Sequence, residues 1–100
     1  MLLVMVGLQG AWPSLAQAQT MALLEQRSRH CLQGRHLASC TRALQDAELL
    51  QQRAADRQAY PCQTLLLGLQ ADLIMERDRH GRGAQAVEDL PLIIHGCAGL

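Results

Sequence analysis

Apolar residues recur along this chain at steps of three and four, and no segment alternates apolar with polar. That pattern predicts helices and no half-buried strand. The clearest period runs from His36 to Asp56, where Leu37, Cys40, Leu44, Ala47, Leu50 and Ala54 fall on one side of a helix, with Arg42, Gln45, Asp46 and Arg53 elsewhere around it. Before it, a helix is expected from a Thr20 N-cap to Gln33, with Leu24 and Cys31 one heptad apart and Gly34 as the stop. Pro61 opens a third helix, since its ring is tolerated in a first turn and disruptive later. The middle of that helix, Leu65 to Met75, is apolar almost all round, as suits the most enclosed member of a bundle. Gly81-Arg82-Gly83 then offers a turn with two residues free to take positive φ. From Ala84 to Cys97 the stripe Ala84, Val87, Leu90 meets Pro91, which predicts two short helical pieces joined there.

Short turns near Gly34 and Gly81, and a short link before Pro61, force neighbouring helices to run antiparallel. The predicted fold is therefore all-α, a small antiparallel bundle of three to four helices made of two helical hairpins. The second helix should bury Leu37, Leu44, Ala47 and Leu50 against Leu65, Leu66, Leu69 and Leu73 of the third.

The N-terminus has a different pattern. Met1 to Leu8 is a short apolar run, Pro13 breaks its continuation, and Ala16-Gln17-Ala18 supplies the small residues at alternate positions that a signal peptidase accepts. The expectation is a signal peptide over residues 1–18 and a single disulfide-stapled helical domain over residues 19–100. Two features depart from the usual export signal. No basic residue precedes the apolar run, and the first charged side chain is Glu25. An uncleaved membrane anchor is the competing reading, opposed by Gln9, Gln17, Gln19 and Pro13.

All four cysteines lie beyond that segment, at Cys31, Cys40, Cys62 and Cys97. In the antiparallel arrangement Cys31 and Cys40 share one pole, and Cys62 and Cys97 share the other. The poles of helices near this length lie about 25 to 30 Å apart, while a disulfide needs its Cα atoms within about 7 Å. The geometry favours Cys31 with Cys40 and Cys62 with Cys97, because the other two connectivities each need both bridges to cross that gap. A domain of this size buries only about 60 to 65% of its unfolded surface, so such cross-links carry weight.

Composition narrows the function. Nine arginines balance nine acidic residues, interspersed along the chain, which removes the electrostatic argument for nucleic acid or an anionic membrane surface. Lys, Asn and Phe are absent while Ala, Leu, Arg, Gly and Gln abound, the signature of a GC-rich gene and more in keeping with a bacterial source than an animal one. The cysteine spacing contains neither CxxC nor CxxCH nor a zinc-ribbon pattern. Cys31 and Cys40 lie one residue short of the CX9C spacing of helical hairpins from the mitochondrial intermembrane space. Cys62 and Cys97 do not repeat that spacing, and no family follows from it.

The sharpest chemical feature is the set His30, Cys31, His36, Cys40 and His80 at one pole. With reduced thiols it would suit zinc or monovalent copper, whereas in an oxidising compartment the two cysteines close on each other instead. Asp72 and Glu76 stand one helical turn apart, yet beside Arg77 and Arg79 they read as a solvated face rather than an acid–base pair. Ser39 next to His36 lacks the glycines of a nucleophile elbow, and Gly81-Arg82-Gly83 is too short to cradle phosphate. Tyr60 is the one aromatic beyond the N-terminal segment. The expectation is an exported, non-enzymatic helical module of the cell envelope or extracellular space, periplasmic or secreted, with no cofactor and with a protein partner. After signal cleavage it would engage neither nucleic acid nor membrane. The alternative is metal binding through the His/Cys cluster.

Overall fold

Gly34, Pro61 and the Gly81-Arg82-Gly83 triplet punctuate the chain where the backbone turns. The computed structural model describes residues 15–34, 36–78 and 81–100, with side chains from Thr20 onward. Four helices succeed one another: α1 (Leu15–Gly34), α2 (Leu37–Asp56), α3 (Tyr60–Arg77) and α4 (Gly83–Gly96). No strand occurs among the described residues. The expected signal peptide lies mostly outside these residues. Helix α1 already begins at Leu15, so Thr20 sits inside it rather than capping it.

Each helix packs against the next in sequence, α4 returns to α1, and α1 also reaches α3. Arg27 pairs with Asp46 at 2.7 Å and Cys31 with Cys40, which sets α1 and α2 antiparallel. Gln63 donates to Gln51 across α2 and α3 at 3.2 Å. Cys62 pairs with Cys97, and Asp72 with Arg82, which sets α3 and α4 antiparallel. The expected bundle of two hairpins is thus observed, with both disulfides in the expected pairing and Cα separations of 4.7 and 4.9 Å.

The core is aliphatic and small. Leu24 and Leu32 of α1, Ala43, Ala47, Leu50 and Ala54 of α2, Leu66, Leu69 and Leu73 of α3, and Leu90 and Ile93 of α4 are buried around the four cysteines. Alanines at three- and four-residue steps along α2 let α1 and α3 approach closely. Two expectations for α2 change. Leu37 is 64% exposed because it is the first helical residue and has no turn before it to hold it inward, and Leu44 is only partly buried. Ser28 is fully buried in α1, and its hydroxyl has no hydrogen-bond partner among the described residues.

Helix ends obey local rules. His36 caps α2, its Nδ1 accepting from the Ser39 N–H at 3.3 Å and lying 2.9 Å from the Ser39 hydroxyl. That geometry puts the ring proton on Nε2. At the other end of α2, Gln58 takes positive φ (57°), its N–H bonds the Ala55 carbonyl, and the Ala59 N–H bonds the Ala54 carbonyl. This is the paired closure of a Schellman motif, with Ala59 packed against the core next to the buried Ala54.

Helix α4 is one helix, not two pieces. Pro91 removes the N–H that would bond the Val87 carbonyl, a loss that breaks exposed helices. Here Leu90 and Ile93 anchor either side of it in the core, and Cys97 is bonded to Cys62, so packing and the cross-link carry the helix through.

Candidate interaction surface

Helix α3, expected to be the most enclosed, is instead two-faced. Leu66, Leu69 and Leu73 are buried, while Leu67 is 46% exposed, Ile74 41% and Met75 38%. The reason is architectural. With α2 on one flank, α4 on the other and α1 behind, the fourth side of α3 meets solvent. A helix apolar all round must then display apolar residues there.

That outer face runs from Tyr60 through Thr64, Leu67, Gly68 and Ala71 to Ile74 and Met75, all exposed. It carries no charge over four turns, because the one charged residue between Tyr60 and Met75 is Asp72, which is buried on the α4 flank. Beside it opens a cleft of about 270 Å³ between α3 and α4. Leu65, Leu69 and Ile93 form its apolar floor, Thr64 and Gly68 one lip, and Leu92, 63% exposed, the other. Cys62–Cys97 fastens the open end of this hairpin, and the α3–α4 turn fastens the other.

The turn is held by a fork of charge. Arg82 donates through Nε and Nη2 to the two carboxylate oxygens of Asp72, each at 2.9 Å, and through Nη2 to Asp89 at 3.1 Å. The hydrogen bond to Asp72, then the charge of that carboxylate, and then Asp89 raise the Arg82 guanidinium above the ordinary arginine value. Asp72 and Glu76 are therefore not a solvated face, since both are buried. The triplet Gly81-Arg82-Gly83 folds back over the end of α3 to reach them, a contact ten residues away that one-turn spacing could not reveal. Gly83 does not take positive φ. The role of both glycines is close approach. A Cβ on Gly81 would collide with Glu76, lying 2.8 Å from its backbone nitrogen, and one on Gly83 would lie 2.5 Å from the Leu32 carbonyl oxygen.

Among the described residues, the histidine and cysteine pole holds no metal-binding group. Cys31 and Cys40 are fully buried and bonded to each other, so no thiolate is left to ligate. His30 and His36 are exposed beside an open depression that also involves Gln33 and Gly34, and the Nδ1 of His36 is committed to the α2 cap. His80 lies outside the described residues. Among the described residues no group of three or more His, Cys, Asp or Glu side chains could hold a metal ion.

Sequence reasoning missed Leu67, Leu92 and Arg82. The excess of apolar residues around α3 was the available signal for the first, since four helices in a ring cannot hide every side of any one of them. No protein-family model, curated protein or solved structure matches this chain.

Proposed function

We propose that this protein is an exported, non-enzymatic helical module that uses the outer face of α3 and the adjoining α3–α4 cleft to contact another protein. The observation that carries the reading is the uncharged, exposed run from Tyr60 to Met75, continuous with Leu92 across the cleft. Monomeric folds seldom leave a contiguous apolar patch of this kind without a binding role. Two buried disulfides support export, because such bonds persist in oxidising compartments such as the periplasm or the extracellular space. Among the described residues no helix is long and apolar enough to cross a membrane. Asp72, half of the carboxylate pair weighed for acid–base work, is spent on Arg82, which supports a binding role over a catalytic one.

The test places a photo-crosslinking amino acid at Leu67, or at Leu49 on the back of α2 as a control, in the full chain expressed in the host that carries the gene. The expected result is a chain exported without residues 1–18, with no free thiol, that forms adducts from position 67 and not from 49. Equal adducts from both positions, or none from either, would overturn the docking surface. A chain retained in the cytoplasm with free thiols would overturn export.

A further inference from the structure

We infer that Cys62–Cys97 is a thiol-exchange site, a disulfide that a small thiol or a cysteine on another protein's loop opens in the folded chain while Cys31–Cys40 stays closed. The two bridges differ in what surrounds them. Cys31 and Cys40 are 0% exposed, enclosed within the α1–α2 hairpin. Cys62 and Cys97 are 3% and 2% exposed, and both line a depression of about 120 Å³ whose other walls include Gly96, Ala98, Gly99 and Arg57. A single water needs only about 10 to 15 Å³ of such space, so a thiol of a few heavy atoms can enter. Gly96, Ala98 and Gly99 carry a methyl group or less, and leave the approach to the bond clear. Access to the sulfur is one of the factors that set the rate of exchange.

Charge favours the approach and helix direction selects the sulfur attacked. Arg57 is the one charged side chain among the lining residues, and its partner there is the uncharged Leu100 carbonyl. An incoming thiolate therefore meets a positive charge at the mouth. Cys62 lies in the first turn of α3, where the helix dipole stabilises negative charge, and Cys97 is the C-cap of α4, at the opposite kind of end. Cys62 is thus the better leaving thiolate. The incoming thiolate bonds to Cys97 Sγ, the Cys62–Cys97 bond breaks, and its electron pair leaves on Cys62. With a dithiol, the second sulfur then attacks the first, which closes the reagent's own disulfide and frees Cys97. Two electrons pass from the dithiol to the cysteine pair, and its two protons go to Cys97 and to Cys62 or water. The release is local. Helix α4, which supplies the Leu92 lip of the cleft, loses its fastening beyond Pro91, while Arg27–Asp46 and Cys31–Cys40 keep α1 on α2.

The test exposes the oxidised full chain, without denaturant, to dithiothreitol in one arm and to reduced thioredoxin in the other. Alkylation stops each reaction, and mass spectrometry of a digest maps the labelled cysteines over time. Cys62 and Cys97 should be labelled at least about tenfold faster than Cys31 and Cys40, because access limits the enclosed pair. The arm that labels them assigns the source, a small thiol, a protein thiol or both. With the monothiol β-mercaptoethanol, early samples should carry the mixed disulfide on Cys97 and the alkyl group on Cys62, and the reverse pattern would overturn the direction of attack. Ala98→Trp, at an exposed position on the wall of the depression, should slow labelling of Cys62 and Cys97 several-fold while the melting temperature holds. A wild-type rate in that variant would overturn the depression as the entry route. Labelling of Cys62 and Cys97 in neither arm, or equal rates for the two bridges, as when the whole bundle must unfold before any thiol enters, overturns the site.

Discussion

Arg82 grips Asp72 with a two-pronged hydrogen bond, Nε to one carboxylate oxygen and Nη2 to the other, both at 2.9 Å. The carboxylate is 11% exposed and the guanidinium 48%, so the two partners are not equivalent. Removing Arg82 leaves a buried charge unpaired, whereas Asp89, 32% exposed, can turn to water. Arg82→Gln should therefore lower the urea midpoint clearly more than Asp89→Asn does. Arg82→Lys should resemble Arg82→Gln, because an ammonium cannot reproduce the planar fork. Equal midpoints for Arg82→Gln and Asp89→Asn would show that the fork does not hold the turn.

Three glycines should respond in opposite directions to the same methyl group. Gly68 is exposed in mid-helix with open space around it, so Gly68→Ala should stabilise by about 1 kcal/mol through helix propensity. Gly81→Ala and Gly83→Ala push a Cβ into Glu76 and the Leu32 carbonyl, and should destabilise by about 1 to 3 kcal/mol. Thermal denaturation of the three variants side by side checks the sign of each.

Leu50 and Leu37 both sit on the α2 stripe, yet one is fully buried and the other 64% exposed. Leu50→Ala should cost about 2 to 5 kcal/mol, and Leu37→Ala should stay within about 0.5 kcal/mol. Chemical denaturation that finds the two equal would mean α2 is rotated from its observed setting.

The contrast shows what periodicity could and could not reveal. A 3.6-residue period identifies which side of a helix is apolar, and it found Cys40, Ala47, Leu50 and Ala54 of α2, while it counted the partly buried Leu44 and passed over the fully buried Ala43. Depth depends on what packs there, and Leu37 stands at the first turn, where the stripe runs out into solvent. The disulfides were legible because turn placement and helix direction are local facts that add up to a topology. The Arg82–Asp72 fork was not, since it joins a turn to the helix before it through side chains whose reach no spacing rule encodes. The interaction surface lay between these cases. An apolar excess on α3 was plain in the sequence, but the side left open became visible only once α1, α2 and α4 had taken the other three.

Two residues violate local rules and should improve on replacement. Gln58 holds a left-handed conformation that costs a side chain about 1 kcal/mol and glycine little, so Gln58→Gly should stabilise by about that amount. The buried Ser28 hydroxyl has no partner among the described residues, so Ser28→Ala should also stabilise by about 1 kcal/mol. Both gains should appear as higher melting temperatures without any change in helix content.

The two disulfides should differ in worth and in where their loss is felt. Cys31 and Cys40 are 9 residues apart and Cys62 and Cys97 are 35 apart. In the chain-entropy model those loops correspond to about 2.5 and about 4 kcal/mol. The first spans a tight hairpin turn, where the His36 cap and the Arg27–Asp46 pair remain after its removal. The second fastens the end of α4 beyond Pro91, where the remaining ties are the buried Ile93 and Leu100 and the hydrogen bond from Arg57 to the Leu100 carbonyl. Cys62→Ser/Cys97→Ser should therefore cost more than Cys31→Ser/Cys40→Ser. Hydrogen exchange should show protection lost first between Pro91 and Leu100 in the former, with α1 and α2 still protected. Uniform loss of protection across all four helices would mean that the bundle unfolds as one unit and that the second bridge does not act locally on α4.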